Sequence, residues 1–286
     1  MAIHHRIIYY YQTFKSILPA LTPGTPVTDI HLAAIHFGKD PDTNEPYIHL
    51  NDHPPNSIVF LPVWREMEAA VELGIHVILM IGGEGGAFIN LFSDFGTYYP
   101  FLKSTIHQFP MISGVDLDIE ESVSLDDVKS LIRRIKADFG SSFSISMSPI
   151  QYSLQTDEKG MGDFSYKTLF DSPEGKLIDY FNGQFYLDYS APEYEDAVDN
   201  GYPPHQVVMG MISGQDLDEA KKTILALCKK YPDFGGVYVW EYFDAPPGKT
   251  RHPEEWCHEI KKTYEEAQPY AIPFRHKRRS RYCRIL

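Results

Sequence analysis

The sequence has few cysteines, no long apolar run and no low-complexity segment. Its three cysteines, Cys228, Cys257 and Cys283, are widely spaced, which gives neither a zinc-ligand spacing nor a disulfide framework. No apolar run approaches the roughly 18 residues that a bilayer-spanning helix needs, so an integral membrane protein is excluded. The 20 Gly and 21 Pro are spread along 286 residues that are 43% hydrophobic, which indicates a globular protein rather than a disordered or collagen-like chain.

The N-terminus also lacks the pattern of a secretory leader. Residues 1–14 (MAIHHRIIYYYQTF) enter a strand-like run almost at once. A leader needs a basic start, an apolar stretch and a small-residue cleavage site, a pattern that this early strand-like run does not follow. Together with the small number of cysteines, this predicts a cytoplasmic protein, or a secreted one if a leader has been removed.

The net charge of -13 is distributed unevenly along the chain. The last fourteen residues (PFRHKRRSRYCRIL) contain six Lys or Arg and no acid, so the rest of the chain is more acidic than the total suggests. An acidic body repels nucleic acid and anionic membranes, and we expect neither as a partner. Residues 271–286 are interpreted as a basic, solvated C-terminal tail, with a localisation signal or an anchor for an acidic partner as alternatives.

Short apolar runs alternate with longer amphipathic segments through the rest of the chain. The predicted strands are residues 6–11, 29–36, 76–81, 112–120, 142–148, 177–186, 206–211 and 235–240, and helical patterns include 63–73, 124–139, 217–231 and 253–267. Eight strand–helix repeats predict a closed (β/α)8 TIM barrel in a single domain, residues 1–270. The alternative is a doubly wound open sheet, but no G-x-G-x-x-G follows the first strand and no P-loop is present.

Two connections between the predicted strands are informative. The insertion at residues 38–57 contains the run YIHL, which predicts a small hairpin over the mouth of the barrel. The segment between the seventh and eighth strands is too short for an additional α+β domain. We therefore expect a shallow, open groove rather than a deep tunnel.

The fourth predicted strand contains three carboxylates at alternate positions, in residues 113–120 (SGVDLDIE). Because side chains alternate along a strand, Asp116, Asp118 and Glu120 share one face. In barrel enzymes the C-terminal ends of the strands form the active site. Like charges buried together raise pKa values and favour retention of a proton, which is what a general acid requires. The alternatives are carboxylates satisfied by neighbouring side chains, or a cluster that holds a divalent metal.

Residues 113–120 resemble the D-x-x-D-x-D-x-E signature of family 18 glycoside hydrolases, the chitinases and endo-β-N-acetylglucosaminidases. Four other segments resemble the family in the expected order. They are residues 80–83 (MIGG) on the third strand, 146–149 (SMSP) on the fifth, 184–186 (QFY) on the sixth and Trp240 at the end of the eighth. The resemblance spans roughly residues 6–242.

The resemblance implies hydrolysis of β-1,4-linked N-acetylglucosamine, in chitin oligomers or in the chitobiose core of N-glycans. It implies substrate-assisted retaining catalysis without a cofactor or a metal. Glu120 would be the acid/base, Asp118 would orient the acetamido group, and Asp116 would support Asp118.

The remaining site residues follow from the same resemblance and from alternation along the strands. Tyr186 would donate its hydroxyl to the acetamido oxygen, and Trp240 would form the floor of the sugar subsite. Gln184 shares the face of Tyr186, and Tyr10 is a further candidate for the sugar pocket. We expect a monomer whose partner is an N-acetylglucosamine-containing oligosaccharide or glycan.

Besides Leu187, which replaces the Asp that follows Tyr in one version of the family, two positions depart from the family pattern. Ser113 stands in place of the first Asp, which belongs to a charge relay beneath Asp116, and Met80 stands in place of the family's Ser. These departures favour an alternative function, a non-catalytic chitinase-like lectin or inhibitor on the same barrel. Retention of Glu120 favours an active enzyme. The other alternative is an unrelated barrel enzyme that uses the carboxylates to hold a divalent metal.

Overall fold

The computed structural model describes residues 5–267, and within them eight parallel strands close into a barrel surrounded by helices. The basic tail predicted at residues 271–286 lies outside the described residues. The strands are β1 Arg6–Tyr11, β2 Asp29–Lys39, β3 Pro46–Leu50, β4 His76–Gly82, β5 Ile112–Asp118, β6 Ser144–Met147, β7 Tyr180–Gln184, β8 Val207–Ile212 and β9 Gly236–Trp240. The helices are α1 Leu61–Glu72, α2 Ala87–Ser93, α3 Phe95–Gln108, α4 Leu125–Phe139, α5 Gln151–Gln155, α6 Tyr166–Asp171, α7 Ala191–Asp199, α8 Leu217–Lys230 and α9 Glu255–Ala267.

The barrel closes through the first strand. β1 pairs in parallel with β2 on one side and with β9 on the other, so this sheet has no open edge at β1. An open doubly wound sheet would leave its edge strands unpaired, which excludes that alternative. The predicted TIM barrel is therefore confirmed. No helix in the described part of the chain is long and apolar enough to cross a bilayer.

The two faces of the barrel strands differ in composition. On β5, Val115 and Leu117 point outward into the main core between the barrel and its helices. A second, smaller cluster fills the interior of the barrel and includes Tyr10, Tyr180 and Tyr238. Both faces are buried, which explains why the strands read as nearly continuous apolar runs. Buried tyrosines need hydrogen-bond partners for their hydroxyls, so we expect other polar side chains inside the barrel as well.

The helices predicted from the sequence begin and end within two residues of α1, α4, α8 and α9. Capping side chains explain two of the starts. The hydroxyl of Ser124 accepts from the backbone N–H of Asp126, and a carboxylate oxygen of Asp216 accepts from the N–H groups of Asp218 and Glu219. Such side-chain caps satisfy backbone donors that have no partner within the helix.

The predicted hairpin is present at the mouth of the barrel. β2 is longer than predicted, and its last residues pair antiparallel with β3. Asn51, which follows β3, accepts from the backbone N–H of Ala34 and donates to the carbonyl of Gln12. These bonds connect the end of the hairpin to the middle of β2 and to the residue that follows β1. The connection between β8 and β9 consists of α8 and its flanking segments, without an additional α+β domain.

Gly114 on β5 lies where the strands of the barrel approach one another closely. A Cβ at this position would lie 2.7 Å from Cδ1 of Ile78 and 2.7 Å from Cβ and the carbonyl oxygen of Ser144. We expect Gly114→Ala to lower the free energy of unfolding by about 1–3 kcal/mol, as overpacking does in closely packed cores. Chemical denaturation monitored by circular dichroism measures this change.

Gly96→Ala is the matched control, because Gly96 lies in α3, where an added Cβ would meet only Oδ1 of Asp94, at 3.8 Å. Here the same substitution is expected to be neutral or to stabilise by up to about 1 kcal/mol, since alanine favours helix. Equal destabilisation by both substitutions would contradict the close approach of the strands at Gly114.

Candidate active site

A pocket of about 420 Å³ opens at the C-terminal ends of the barrel strands. Five residues predicted for the site line it, together with residues of the β1, β2, β4 and β8 ends. The predicted residues are Asp118, Glu120, Gln184, Tyr186 and Trp240, and the others are Gln12, Ala34, His36, Met80, Gly82, Gly83, Glu84 and Ile212. The structure therefore brings together side chains from β5, β7 and β9 that lie far apart in the sequence.

The three predicted carboxylates occupy successive depths below the pocket. Asp116 is fully buried, Asp118 is 6% exposed, and Glu120 is half-buried at the pocket. β5 ends at Asp118 rather than at residue 120, so Glu120 is the second residue beyond the strand. We call Asp116, Asp118 and Glu120 the carboxylate column.

Asp116 lies at the bottom of the column and accepts four hydrogen bonds. Oδ1 accepts from the hydroxyl of Ser146 at 2.6 Å and from Nδ2 of Asn182 at 3.3 Å. Oδ2 accepts from the hydroxyls of Tyr10 and Ser148, each at 2.7 Å. Donors directed at a carboxylate stabilise its ionised form.

A buried histidine completes the surroundings of Asp116. Nδ1 of His31 lies 3.4 Å from Oδ2 of Asp116, and neither side chain is exposed to solvent. Burial by itself would raise the pKa of Asp116, but the facing His31 and the hydrogen bonds outweigh it and hold the pKa below its usual value. The bottom of the column is therefore ionised at neutral pH.

Asp118 lies in the middle of the column, in the opposite situation. Burial and the neighbouring charges of Glu120 and Asp116 raise its pKa well above the usual value, and a hydrogen bond from Gln184 offsets only part of this. Nε2 of Gln184 lies 3.2 Å from Oδ1 of Asp118 and also donates to the carbonyl of Ser148 at 2.9 Å. Gln184, predicted as a substrate-binding residue, thus also fixes the position of Asp118.

Glu120 lies at the top of the column. Its pKa is raised by burial, lowered in part by a hydrogen bond from Gln184, and raised further by the charges of Glu121 and Glu84. A carboxyl group whose pKa is raised retains its proton closer to neutral pH, which suits a general acid. Because Asp118 and Glu120 interact, their titration belongs to the pair rather than to either residue.

Glu121 was not predicted from the sequence, yet it fixes the backbone of the acid. Its Oε2 accepts from the N–H of Glu120 at 3.2 Å, and its Oε1 accepts from the N–H groups of Phe88 and Ile89 at the start of α2. This carboxylate therefore connects the end of β5 to a helix N-terminus, where negative charge is stabilised. The sequence shows a second Glu directly after the motif, but the alternation of side chains along the strand does not predict a role for it.

Gly82, at the end of β4, and Gly83, directly after it, allow the backbone to approach the column. Gly82 has a φ of +98°, and a Cβ there would collide with the carbonyl oxygen of Asp118. The N–H of Gly83 donates to that same carbonyl at 2.9 Å. Glycine is required at Gly82 because both the dihedral angle and the contact exclude a side chain.

Aromatic side chains form the other side of the pocket. The hydroxyl of Tyr186 accepts from the hydroxyl of Tyr238 at 3.1 Å, which leaves its own O–H free to donate toward the pocket. Trp240 is half-buried and also lines the pocket.

Tyr10 is placed differently from the prediction. It is 2% exposed, does not line the pocket, and packs against Trp240 with a ring-centroid distance of 5.3 Å. Its hydroxyl is directed at Asp116. Tyr10 therefore lies below the pocket, where it contacts Asp116 at the bottom of the column and the ring of Trp240.

Ser113 and Met80, which depart from the family pattern, are uncharged residues. The hydroxyl of Ser113 donates to the carbonyl of Val77 at 3.2 Å, at a position where the pairing of β4 and β5 is irregular. Met80 is buried in the interior cluster. Within residues 5–267, no group of three or more His, Cys, Asp or Glu is arranged to hold a metal ion.

Several solved enzyme structures are similar to this chain. A fungal endo-β-N-acetylglucosaminidase from glycosyl hydrolase family 18 superimposes with a TM-score of 0.83 and 30% identity over 90% of this chain and 97% of the other. A chitinase from Aspergillus fumigatus gives a TM-score of 0.79 and 31% identity over 91% and 99%. A family 18 chitinase from Pseudoalteromonas aurantia, at 17% identity and a TM-score of 0.68, shares the fold.

No family model matches the chain, and no curated protein sequence matches it significantly. The closed barrel that the chain shares with these structures, together with the carboxylate column at its own mouth, defines a TIM-barrel glycosidase. The chain belongs to glycoside hydrolase family 18, and within it to the endo-acting chitinase and endo-β-N-acetylglucosaminidase type.

The raised pKa of Asp118 affects how the free energy of unfolding depends on pH. Because the pKa is higher in the folded than in the unfolded protein, the carboxyl group stabilises the fold below its unfolded pKa of about 3.9. This contribution is lost as the pH rises toward the folded pKa. We expect Asp118→Asn, which cannot ionise, to raise the free energy of unfolding at pH 7 by about 1–2 kcal/mol, and to do so less at pH 4.

Asp138→Asn is the matched control with the opposite sign. Hydrogen bonds from Lys103 and Arg134 lower the pKa of Asp138 to about 2, so its stabilisation is present above the unfolded pKa and lost as the pH falls through about 2. This variant is expected to be less stable than the wild type at pH 7. Urea denaturation at both pH values measures the differences, and a destabilising Asp118→Asn at pH 7 would contradict the raised pKa.

Proposed function

We propose that this chain hydrolyses β-1,4 linkages of N-acetylglucosamine, in chitin oligomers or in the chitobiose core of N-glycans, by substrate-assisted retaining catalysis. The observation that carries the proposal is the carboxylate column, with an ionised Asp116 at the bottom and a raised pKa at both Asp118 and Glu120. This arrangement keeps a proton on the carboxyl groups at the pocket. In substrate-assisted catalysis no second carboxylate is needed as the nucleophile.

Glu120 is the proposed acid and base. It donates its proton to the glycosidic oxygen as the bond from that oxygen to the anomeric carbon breaks. The carbonyl oxygen of the substrate's own 2-acetamido group forms the new bond to the anomeric carbon and gives an oxazolinium intermediate. Glu120, now ionised, then takes a proton from the water that opens this intermediate, so the configuration at the anomeric carbon is retained.

Asp118 is proposed to position the acetamido group. Positive charge develops on the acetamido nitrogen as its carbonyl attacks, and an acidic neighbour that accepts from its N–H stabilises this charge. Gln184 holds Asp118 in place. Asp116 below supplies negative charge that keeps the proton higher in the column.

The aromatic residues are proposed to hold the sugar. The free O–H of Tyr186 donates to the acetamido oxygen, since the phenol oxygen itself already accepts from Tyr238. The ring of Trp240 lies in the pocket wall, where a flat aromatic face can stack on the apolar side of a sugar. Tight positioning of the acetamido group beside the anomeric carbon is what makes an internal nucleophile effective.

The shape of the mouth supports cleavage within a chain of sugars. A second cleft of about 410 Å³, lined by Gln12, Thr13, His36, Asn51 and Asp52, adjoins the pocket and shares Gln12 and His36 with it. Its lining is polar, so it offers hydrogen bonds to sugar hydroxyls. A substrate can therefore extend beyond the unit held at the column.

The lectin or inhibitor alternative is not favoured, because the similar structures are hydrolases and the column retains its acid. The proposed substrate is an N-acetylglucosamine-containing oligosaccharide or glycan. The monomeric state and the cytoplasmic location stay predictions.

Hydrolysis of a fluorogenic chitotriose glycoside and of a high-mannose Asn-glycopeptide tests the proposal. The wild type is expected to cleave at least one of them. Glu120→Gln is expected to lower kcat by about 10²–10⁴-fold with KM changed little, because a positioned general acid contributes about that much. Initial rates between pH 4 and 8 measure the effect.

Glu72→Gln, the same substitution at an exposed position at the end of α1, is the matched control and should retain full activity. Binding of chito-oligosaccharide by a wild type that cleaves neither substrate would show a lectin instead. Activity that disappears with EDTA and returns with Mg²⁺ would show a metal-dependent enzyme.

A further inference from the structure

His31 is a buried titratable residue to which the proposed reaction assigns no role. It lies on β2, inside the barrel, with no exposure to solvent. Its ring packs against Tyr10 at a centroid distance of 4.7 Å and lies 6.2 Å from the ring of Tyr180. An imidazole enclosed in this way needs a partner for each ring nitrogen, because unpaired buried polar atoms are costly.

The two ring nitrogens of His31 have different surroundings. Nε2 lies 3.1 Å from the hydroxyl of Tyr180, a group that can donate or accept. Nδ1 forms no regular hydrogen bond in the described part of the chain, and the polar atom that faces it is Oδ2 of Asp116 at 3.4 Å. A lone pair directed at a carboxylate would be repelled, so Nδ1 carries a hydrogen.

The charged and titratable groups around His31 come from several strands. Asp116 faces it from β5, Tyr10 from β1 and Tyr180 from β7. The guanidinium of Arg6 lies over the ring of Tyr180 at 4.0 Å. The electrostatic influence of Asp29, on the same strand as His31, reaches Tyr180 as well.

We propose that His31 is a positioning residue that directs Nδ1–H at Asp116, keeps this carboxylate ionised, and so confines the proton of the column to Asp118 and Glu120. This inference rests on the proposed function, because it concerns the proton that the proposed reaction uses. It goes beyond that function in assigning the control of the proton to β2, a strand that carries no member of the carboxylate column.

The departures at Ser113 and Met80 strengthen this assignment. The first Asp of the motif, expected in a charge relay beneath Asp116, is replaced by a serine that donates to a main-chain carbonyl. Met80 adds only an apolar side chain to the interior. The other four donors to Asp116 are neutral groups, so His31 is the neighbour that can add positive charge. The lowered pKa of Asp116 agrees with such a neighbour.

Kinetics of His31→Phe and His31→Asn over pH 4 to 9 test the proposal. Loss of the donor makes Asp116 easier to protonate, so the acid limb of the kcat profile moves to higher pH, by about one unit. We expect kcat at the optimum to fall at least about tenfold in His31→Phe, with KM within about twofold, and His31→Asn to recover part of it through its amide donor.

His205→Phe is the matched control. Its Nδ1 also lies 3.4 Å from an aspartate oxygen, that of Asp233, but the two side chains are 62% and 48% exposed. His205 precedes β8, at the opposite end of the barrel from the pocket. Both limbs of its profile should match those of the wild type. A lower kcat in His31→Phe with both limbs unmoved would show a merely structural role and overturn the proposal.

A measurement on the wild type separates this proposal from the proposed function. Nitrogen-15 NMR of the histidine rings is expected to show a protonated Nδ1 at His31, with the signal assigned by its loss in His31→Asn. A bare Nδ1 would overturn the proposal even if the enzyme is active. If the wild type cleaves neither substrate, the proposed function fails, and the ring signal alone decides the role of His31.

Discussion

Three carboxylates that point into a barrel from one strand cannot all be ionised without a large electrostatic cost, and the arrangement of the site follows from this constraint. Asp116, Asp118 and Glu120 alternate along β5 and its end, so the strand geometry forces them into one column. The column is stable because its charge is divided unevenly. Its lowest member is surrounded by donors, and burial with like charge raises the pKa of the two members above it.

The rest of the barrel provides the donors. An interior of aliphatic side chains would leave Asp116 without partners, whereas here Tyr10, Ser146, Ser148 and Asn182 converge on its two oxygens from three other strands. The same interior cluster continues upward through Tyr238 to Tyr186 at the pocket. The buried polar network thus links the packing of the barrel to the position of the groups that meet the substrate. Such a network is stable only when its members are satisfied together.

The sequence predicted those parts of the fold and the site that depend on local periodicity. Alternation placed Asp116 and Asp118 on the inner face and Val115 and Leu117 on the outer face, as the structure has them. It also predicted the hairpin at residues 38–57, although not that β2 extends to form one of its two strands. The resemblance located Gln184, Tyr186 and Trp240, which the structure brings to one pocket.

Contacts between distant strands could not be predicted in this way. His31 is 85 positions from Asp116, and a lone histidine in an apolar strand carries no signal of its partner. Tyr10 was a candidate for the sugar pocket because it lies near the end of the first strand, but three consecutive tyrosines obscure the register there. The depth of its side chain also depends on the tilt of the strand, which the sequence does not give. Glu121 gained its role only through α2, a short helix that was not predicted.

Carbon-13 NMR of the aspartate carboxyl groups measures the protonation of the carboxylate column. Signals of Asp116 and Asp118 can be assigned from their Asn variants, and the pH titrated from 3 to 9. We expect Asp116 to be ionised throughout most of this range, and Asp118 to lose its proton at a distinctly higher pH than Asp116. An Asp118 that ionises first, with the proton retained on Asp116, would contradict this expectation.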